Sequence, residues 1–135
     1  MAASTSGALK ALIESLGLGI SAYGDQSPPG TSRPYVTIDE AVAVVPDPSE
    51  DGKAGTLVET TTVHLWQDWR NPTTGVIAEN KALEPALRRG IDGARLPLIG
   101  TSVTYIALVR HYFRALESEE NVVHHPLTVE VWRQA

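Results

Sequence analysis

Three segments of this chain alternate apolar and polar residues with a period of two, and together they require a sheet. In 56–66, Leu57, Thr61, Val63 and Leu65 lie on one face; Val58, Thr60, Thr62, His64 and Trp66 lie on the other. In 102–113, Val103, Tyr105, Ala107 and Val109 oppose Thr104, Ile106, Leu108 and Arg110. In 122–133, Leu127, Val129 and Val131 face in, and Thr128, Glu130 and Trp132 face out. A helix cannot absorb a two-residue period, and a sheet with one apolar face needs a second layer to cover it. Segment 35–45 also reads as extended, with Val36 and Ile38 alternating with Tyr35, Thr37 and Asp39 before Val42, Val44 and Val45.

The covering layer is helical. Leu9, Leu12, Ile13 and Leu16 follow helical spacing, so 8–16 is expected as a helix capped by Thr5 or Ser6 and stopped by Gly17. A second helix is expected over about 76–89, with Val76, Ala82, Leu83, Ala86 and Leu87 on one stripe and Gly90 and Gly93 at its end. Pro85 interrupts it, because an interior proline removes a hydrogen bond and clashes with the preceding turn. Either the helix kinks there or a shorter one begins near Glu84; the kink is favoured. Arg88, Arg89 and Arg95 cluster at its end, where cations complement the helix dipole.

Gly24, Pro28, Pro29, Gly30 and Pro34 mark 24–34 as a loop. Two prolines, two glycines and the acids Asp47, Glu50 and Asp51 make 46–55 a mobile acidic connection. Residues 71–75 form a turn, and 115–121 an acidic connection carrying Glu117, Glu119 and Glu120. Pro126 cannot donate to a ladder, so the last strand has an edge or a bulge there.

The order is α-β-β-α-β-β. The expected fold class is α+β, two layers, with a mainly antiparallel sheet of about four to five strands and two helices packed on one face. At 135 residues the chain suits one domain, 1–135. No apolar run is long enough to cross a bilayer, and 1–7 lacks the pattern of a signal peptide. Cysteine is absent, which excludes disulfides and thiol chemistry. A net charge of −5 removes the usual electrostatic footprint of a nucleic-acid binder.

No constellation for chemistry emerges. His124 and His125 are adjacent and point to opposite faces of a strand, so they cannot easily share a metal. His64 and His111 could face each other across the sheet, but no third ligand is evident. Ser102 and Ser118 lack the setting of a nucleophile, and no phosphate-binding loop is present. Gly17 and Gly19 follow a helix, the wrong end for phosphate capture. Asp39-Glu40 and Glu119-Glu120 read as solubilising charges on edges. The expectation is a non-enzyme without cofactor or metal. The aromatic residues say more: Trp66, Trp69 and Trp132 fall at or near strand ends, as do Tyr112 and Phe113. They either close the ends of the core or form a partner surface, since tryptophan and tyrosine are enriched at interface hot spots. The outward phase of Trp132 favours a partner surface.

The stretch 56–133 resembles the tail terminator (tail completion) proteins of long-tailed bacteriophages. The resemblance rests on "TTTVHLWQDWRN", the helix "GVIAENKALEPALRRGI" and "LPLIGTSVTYIALVRHYFRALESEENVVHHPLTVEVW". These give a strand ending in an aromatic, a helix, L-x-L-x-G, a long strand, an acidic turn and a closing amphipathic strand. The resemblance implies a homo-oligomeric ring, usually a hexamer, that sits on the head-proximal end of the tail tube. There it ends tube growth and presents a surface to the head connector or neck protein. DNA would pass through without specific binding. The implied location is the virion, and the host cytoplasm during assembly, with no membrane contact. Trp66, Trp69, Tyr112 and Trp132 are then candidate interface residues, and Asp47, Glu50 and Asp51 a candidate lumen loop whose charge would repel phosphates. The alternatives are a head-closure or neck connector protein, or a small enzyme or ligand-binding domain with a pocket lined by Tyr105, His64 and His111.

Overall fold

A computed structural model of the chain describes residues 4–44, 58–97 and 104–134. The candidate lumen residues Asp47, Glu50 and Asp51, and the whole of 46–55, lie outside the described residues. The fold is α+β. Two helices, α1 (Thr5–Ser15) and α2 (Leu83–Ile91), pack with one mixed sheet. Its strands are β1 (Ser21–Gly24), β2 (Tyr35–Ile38), β3 (Val42–Val44), β4 (Val58–Asp68), β5 (Arg95–Pro97), β6 (Thr104–Tyr112), β7 (Ala115–Glu117) and β8 (Val122–Gln134). The main path across the sheet is β1-β2-β4-β8-β6-β5, with β3 also on β4 and β7 also on β8. Every pairing is antiparallel except β1 with β2, which is parallel.

The sheet is therefore larger than the four to five strands expected, and not wholly antiparallel. The additional strands are three or four residues long, too short for a period of two to show. Ser21–Gly24 precedes the Gly/Pro loop, Arg95–Pro97 follows α2, and Ala115–Glu117 lies inside the acidic connection. Segment 35–45 divides at Asp39, whose backbone N–H donates to the Thr62 carbonyl at 3.0 Å while its own carbonyl accepts from Ser6 and Thr61.

Over the described residues the three long alternations hold; Leu57 and Val103 lie outside those residues. Thr61, Val63 and Leu65 of β4, Ala107 of β6 and Leu127, Val129 and Val131 of β8 are buried on one face. They form one core with Ala8, Leu9 and Ile13 of α1 and Leu83, Leu87 and Ile91 of α2. Both helices thus cover the same face, as expected. The α1 cap is Ser4, one residue ahead of Thr5 and two ahead of Ser6, the expected caps; its side chain accepts from the Gly7 N–H at 3.1 Å. Thr5 bonds the Glu59 carboxylate and Ser6 the Asp39 carbonyl, so both candidates serve tertiary contacts. Gly17 follows α1 with φ +71, the left-handed stop a side chain would resist.

The second helix corrects the favoured kink. It starts at Leu83, and Pro85 is its third residue. In a first turn no intrahelical acceptor exists for that N–H, so proline costs nothing there. Residues 76–82 are instead a non-helical connection that follows the 71–75 turn, where Asn71 Oδ1 accepts from the Thr73 and Thr74 N–H groups; Ile77 bridges to Arg70 and the Ala78 N–H donates to the Trp69 carbonyl at 2.8 Å. Val76 and Ile77 are consequently exposed.

Pro126 lies where one neighbour of β8 gives way to another. β6 pairing ends at Tyr112 opposite Leu127, and β7 begins with Ala115 opposite His124. The Phe113 N–H reaches the Pro126 carbonyl at 3.4 Å, so the missing proline N–H falls in this gap. A bulge interrupts β6 between Val109 and His111. There the Asp92 carboxylate, at the end of α2, accepts from the Val109 N–H at 3.0 Å.

Candidate interface on the helix-free sheet face

The alternation that buries one face of β4 and β8 puts Thr62, His64 and Trp66, together with His124, Thr128, Glu130 and Trp132, on the face that no helix of the described residues covers. Tyr35 of β2 lies opposite Trp66, and Tyr23 of β1 meets Tyr35 edge-on with ring centroids 6.2 Å apart. Trp66 is the centre of this group. Its indole N–H donates to Thr37 Oγ1 at 3.0 Å, and its ring lies flat on His124, with centroids 3.9 Å apart and planes 1° from parallel.

His124 leads to a second set of contacts. His64 Nδ1 is 2.7 Å from His124 Nε2, and His64 Nε2 is 2.9 Å from Asp39 Oδ2. The two imidazole centroids are 4.9 Å apart, so the short N···N contact lies along the line between the rings. The rings meet end-on with one hydrogen between them. Burial, with the nearby His64 and His125 adding to it against the opposing pull of Asp39, pushes His124 down to about 4.

The four candidate interface residues do not form one patch. Trp66 and Trp132 share the helix-free face but lie at opposite ends, eight residues apart along β8 (His124 to Trp132), about 27 Å at ~3.4 Å per residue. Trp132 lies between Val58 and Ile106. Among the described residues its buried indole N–H has no partner. Trp69 is beyond the end of β4, with the Arg70 guanidinium 4.6 Å over its ring. Tyr112 is opposite Leu127, on the helix-covered side, beneath Arg88 at 3.8 Å.

The His64/His111 pair does not form, because β8 lies between β4 and β6. His111 instead sits near Phe113. Nor do Tyr105, His64 and His111 line one pocket. Tyr105 packs on the core, and lines a hollow of about 700 Å³ with Ser4, Thr5, Asp25 and Glu59. His124 and His125 do point to opposite faces. His125 is buried beside Gln67 and Glu79, and its burial lowers its pKa against the pull of Glu79 and Glu84. With Arg114, Phe113 and Pro85 it borders a second hollow of about 510 Å³. Among the described residues no group of three or more His, Cys, Asp or Glu side chains is placed to hold a metal. No helix of the described residues is long and apolar enough to cross a membrane.

The Asp39–His64–His124 set escaped the sequence reading. Its members are 25 and 60 residues apart and meet only through strand register. The one available signal was that His64 and Trp66 share a phase.

The fold is shared with a virion chain. That chain belongs to a structure described as the virion of a native gene transfer agent particle. The match covers 94% of this chain and 84% of that one, with a TM-score of 0.60 and 16% sequence identity. No protein-family model and no curated protein matches the sequence.

Proposed function

We propose that this protein is a structural component of a tailed, phage-like particle and, within that class, a tail terminator. It would cap the head-proximal end of the tail tube as a homo-oligomeric ring, end tube growth and offer the head-tail joining surface. The observation that carries the virion reading is the fold match to a gene transfer agent virion chain across 94% of this chain and 84% of that one. A match of that extent involves the complete α+β unit rather than a common fragment. The terminator assignment within the class rests on the order and texture of 56–133 described above. The mechanism is steric. A ring is closed by one heterologous contact repeated by rotation, and it stops a polymer when its far face offers no further docking site.

Two features support a role in assembly. The helix-free face presents large aromatic side chains at both ends, and Tyr112, Phe113 and Leu116 are exposed around the β6–β7 corner. Exposed aromatic clusters of this kind mark contact surfaces.

The deciding experiment is cryo-electron microscopy of the purified protein mixed with isolated tail tubes of its own particle. A ring on the head-proximal tube end is the expected result. Binding only to the portal side of filled heads would make the protein a neck connector. Binding to neither, with no place in the finished particle, would overturn the virion reading.

A further inference from the structure

We propose that Asp39, His64 and His124 form a proton-holding relay that keeps Trp66 packed on the helix-free face and that comes apart between the two imidazoles in acid. The inference concerns a conformational device and stands apart from the tail-terminator reading.

Geometry carries it. The His64 and His124 rings meet end-on, with nitrogens 2.7 Å apart. That separation admits one hydrogen and excludes two. At the other end of the relay, Asp39 accepts from His64 Nε2–H when the carboxylate is ionised. His64 Nδ1 then either accepts from His124 Nε2–H, with both rings neutral, or carries a proton that it donates to His124. Either arrangement satisfies every facing atom. One added proton is balanced by the Asp39 carboxylate, so the relay tolerates it intact.

A second proton places N–H against N–H and a cation against a cation. The break then has a defined position. His64⁺ keeps its ion pair with Asp39, and His124⁺ keeps the face of Trp66, where a cation is favoured by the ring quadrupole. The pair therefore splits between His64 and His124. The low value of His124, about 4, agrees with this order, since the second proton enters a half-buried site already facing a cation.

Among the described residues the charged groups around the relay are few, and Asp25 borders the hollow beside Tyr35, Thr37 and Trp66. Asp39 comes from the β2–β3 link, His125 from the reverse face of β8, and the Arg33–Asp68 ion pair from the end of β4. Farther along β8 is the Glu130–Arg110 pair. Tyr35 and Thr37 of β2 and Ala115 of β7 bring no charge in this pH range. Asp39 is held independently by backbone bonds to Thr61, Thr62 and Ser6, so the β2–β3 link stays in place while the relay opens.

The test is a pH titration of the full chain by NMR, following the imidazole ¹⁵N signals and the Trp66 indole N–H. An acid step is expected at His124, near pH 4, with the His64 signals shifting at the same pH as the contact between the rings is lost. As His124⁺ moves off His64 it carries the stacked Trp66 ring with it, so the Trp66 N–H, bonded to Thr37, should lose protection from exchange at that step. His64→Gln should move the His124 midpoint upward. His124→Phe keeps an aromatic ring against Trp66 but cannot titrate, and should remove the acid step at Trp66. A His124 step that leaves the His64 signals unmoved in the wild-type chain would overturn the proposal, as would loss of Trp66 protection at the same pH in His124→Phe. Perturbation of both rings at neutral pH by added Zn²⁺ would also overturn it, by making the pair a metal site. The wild-type titration stands even if a variant fails to fold.

Discussion

The Arg114 guanidinium spans the Glu79 carboxylate, with Nη2 2.7 Å from Oε1 and Nε 3.0 Å from Oε2. This fork joins the segment between β4 and α2 to the corner between β6 and β7. The two partners are unequally placed: the Glu79 side chain is 3% exposed and that of Arg114 45%. Arg114 lowers the Glu79 pKa, and Glu79 raises that of Arg114. Removing the arginine leaves a nearly buried carboxylate whose remaining support among the described residues is the 3.4 Å contact to His125 and the more distant charge of Lys81. Arg114→Ala should therefore destabilise the domain by about 1–3 kcal/mol, toward the lower end because Arg114 is half in water. Arg114→Lys should recover part of this, since it restores charge but not the two-pronged geometry. Urea denaturation at neutral pH measures both.

Acid should weaken this fold in two stages. His124 and His125 are both held below the ordinary 6.5 by burial, so the unfolded chain binds their protons more readily. Their contribution to stability is full above about 6.5 and falls as pH drops through the folded values. Glu79 is held below 4.5 by Arg114, so its contribution is full above 4.5 and is lost as pH falls further. Melting temperature should decline below about pH 6.5 and again below 4.5. In Arg114→Ala the second decline should be shallower. A melting temperature that rises on acidification would refute this assignment.

Gln67 occupies a position where β4 alternation demands an inward side chain, and it is 3% exposed. Its amide reads the backbone of Asn80 in both directions. Oε1 accepts from the Asn80 N–H at 3.0 Å, and Nε2 donates to the Asn80 carbonyl at 3.3 Å. Gln67→Leu would fill the space but strand both backbone groups, at a cost of about 1–3 kcal/mol. Gln67→Glu should be worse, because a carboxylate would face the Asn80 carbonyl. Thermal unfolding of the two variants should rank them in that order.

What could be read from the chain was what repeats along it. The three long alternations carried the sheet, and the Leu9–Leu16 stripe carried α1, because burial imposes those periods locally. The sheet edges were illegible. Ser21–Gly24 becomes a strand only because Tyr35–Ile38 lies parallel beside it. Pro85 misled for a related reason: its effect depends on where the helix starts, and that is set just upstream, where Asn80 accepts from the Ala82 and Leu83 N–H groups. At the candidate interface, strand phase correctly placed Trp66 and Trp132 outward. It could not reveal that Trp66 is already stacked on His124, or that Tyr112 lies on the other side under Arg88.

Gly90 of α2 packs against the side chain of Leu16, the residue that caps the end of α1. A Cβ built there would lie 2.5 Å from Leu16 Cδ1. Two effects compete in Gly90→Ala. Alanine gains about 1 kcal/mol in an ordered helix over glycine, and Leu16 must swing aside. Leu16 ends α1 and is partly exposed, so it can move, and the net change should stay within about 1 kcal/mol. Gly90→Val adds branches that Leu16 cannot clear and should cost about 1–3 kcal/mol. Chemical denaturation of the pair tests the packing directly: equal stability for both variants would mean that the helices do not meet at this point.

Trp132 separates a cost inside the chain from a gain outside it. Its ring fills the helix-free face between Val58 and Ile106, but its buried N–H has no partner among the described residues. A buried unpaired donor costs about 1–3 kcal/mol, so Trp132→Phe removes a penalty while giving up some contact area. The two terms offset, and its monomer stability should change by less than about 1 kcal/mol. Trp132→Ala has no such compensation and should lose about 2–3 kcal/mol, below the usual figure for a fully buried ring. If Trp132 anchors a contact between copies, light scattering should show smaller assemblies for Trp132→Ala, even at concentrations and temperatures where it remains folded. Unchanged assembly mass would remove Trp132 from the interface and leave it as a packing residue of the sheet.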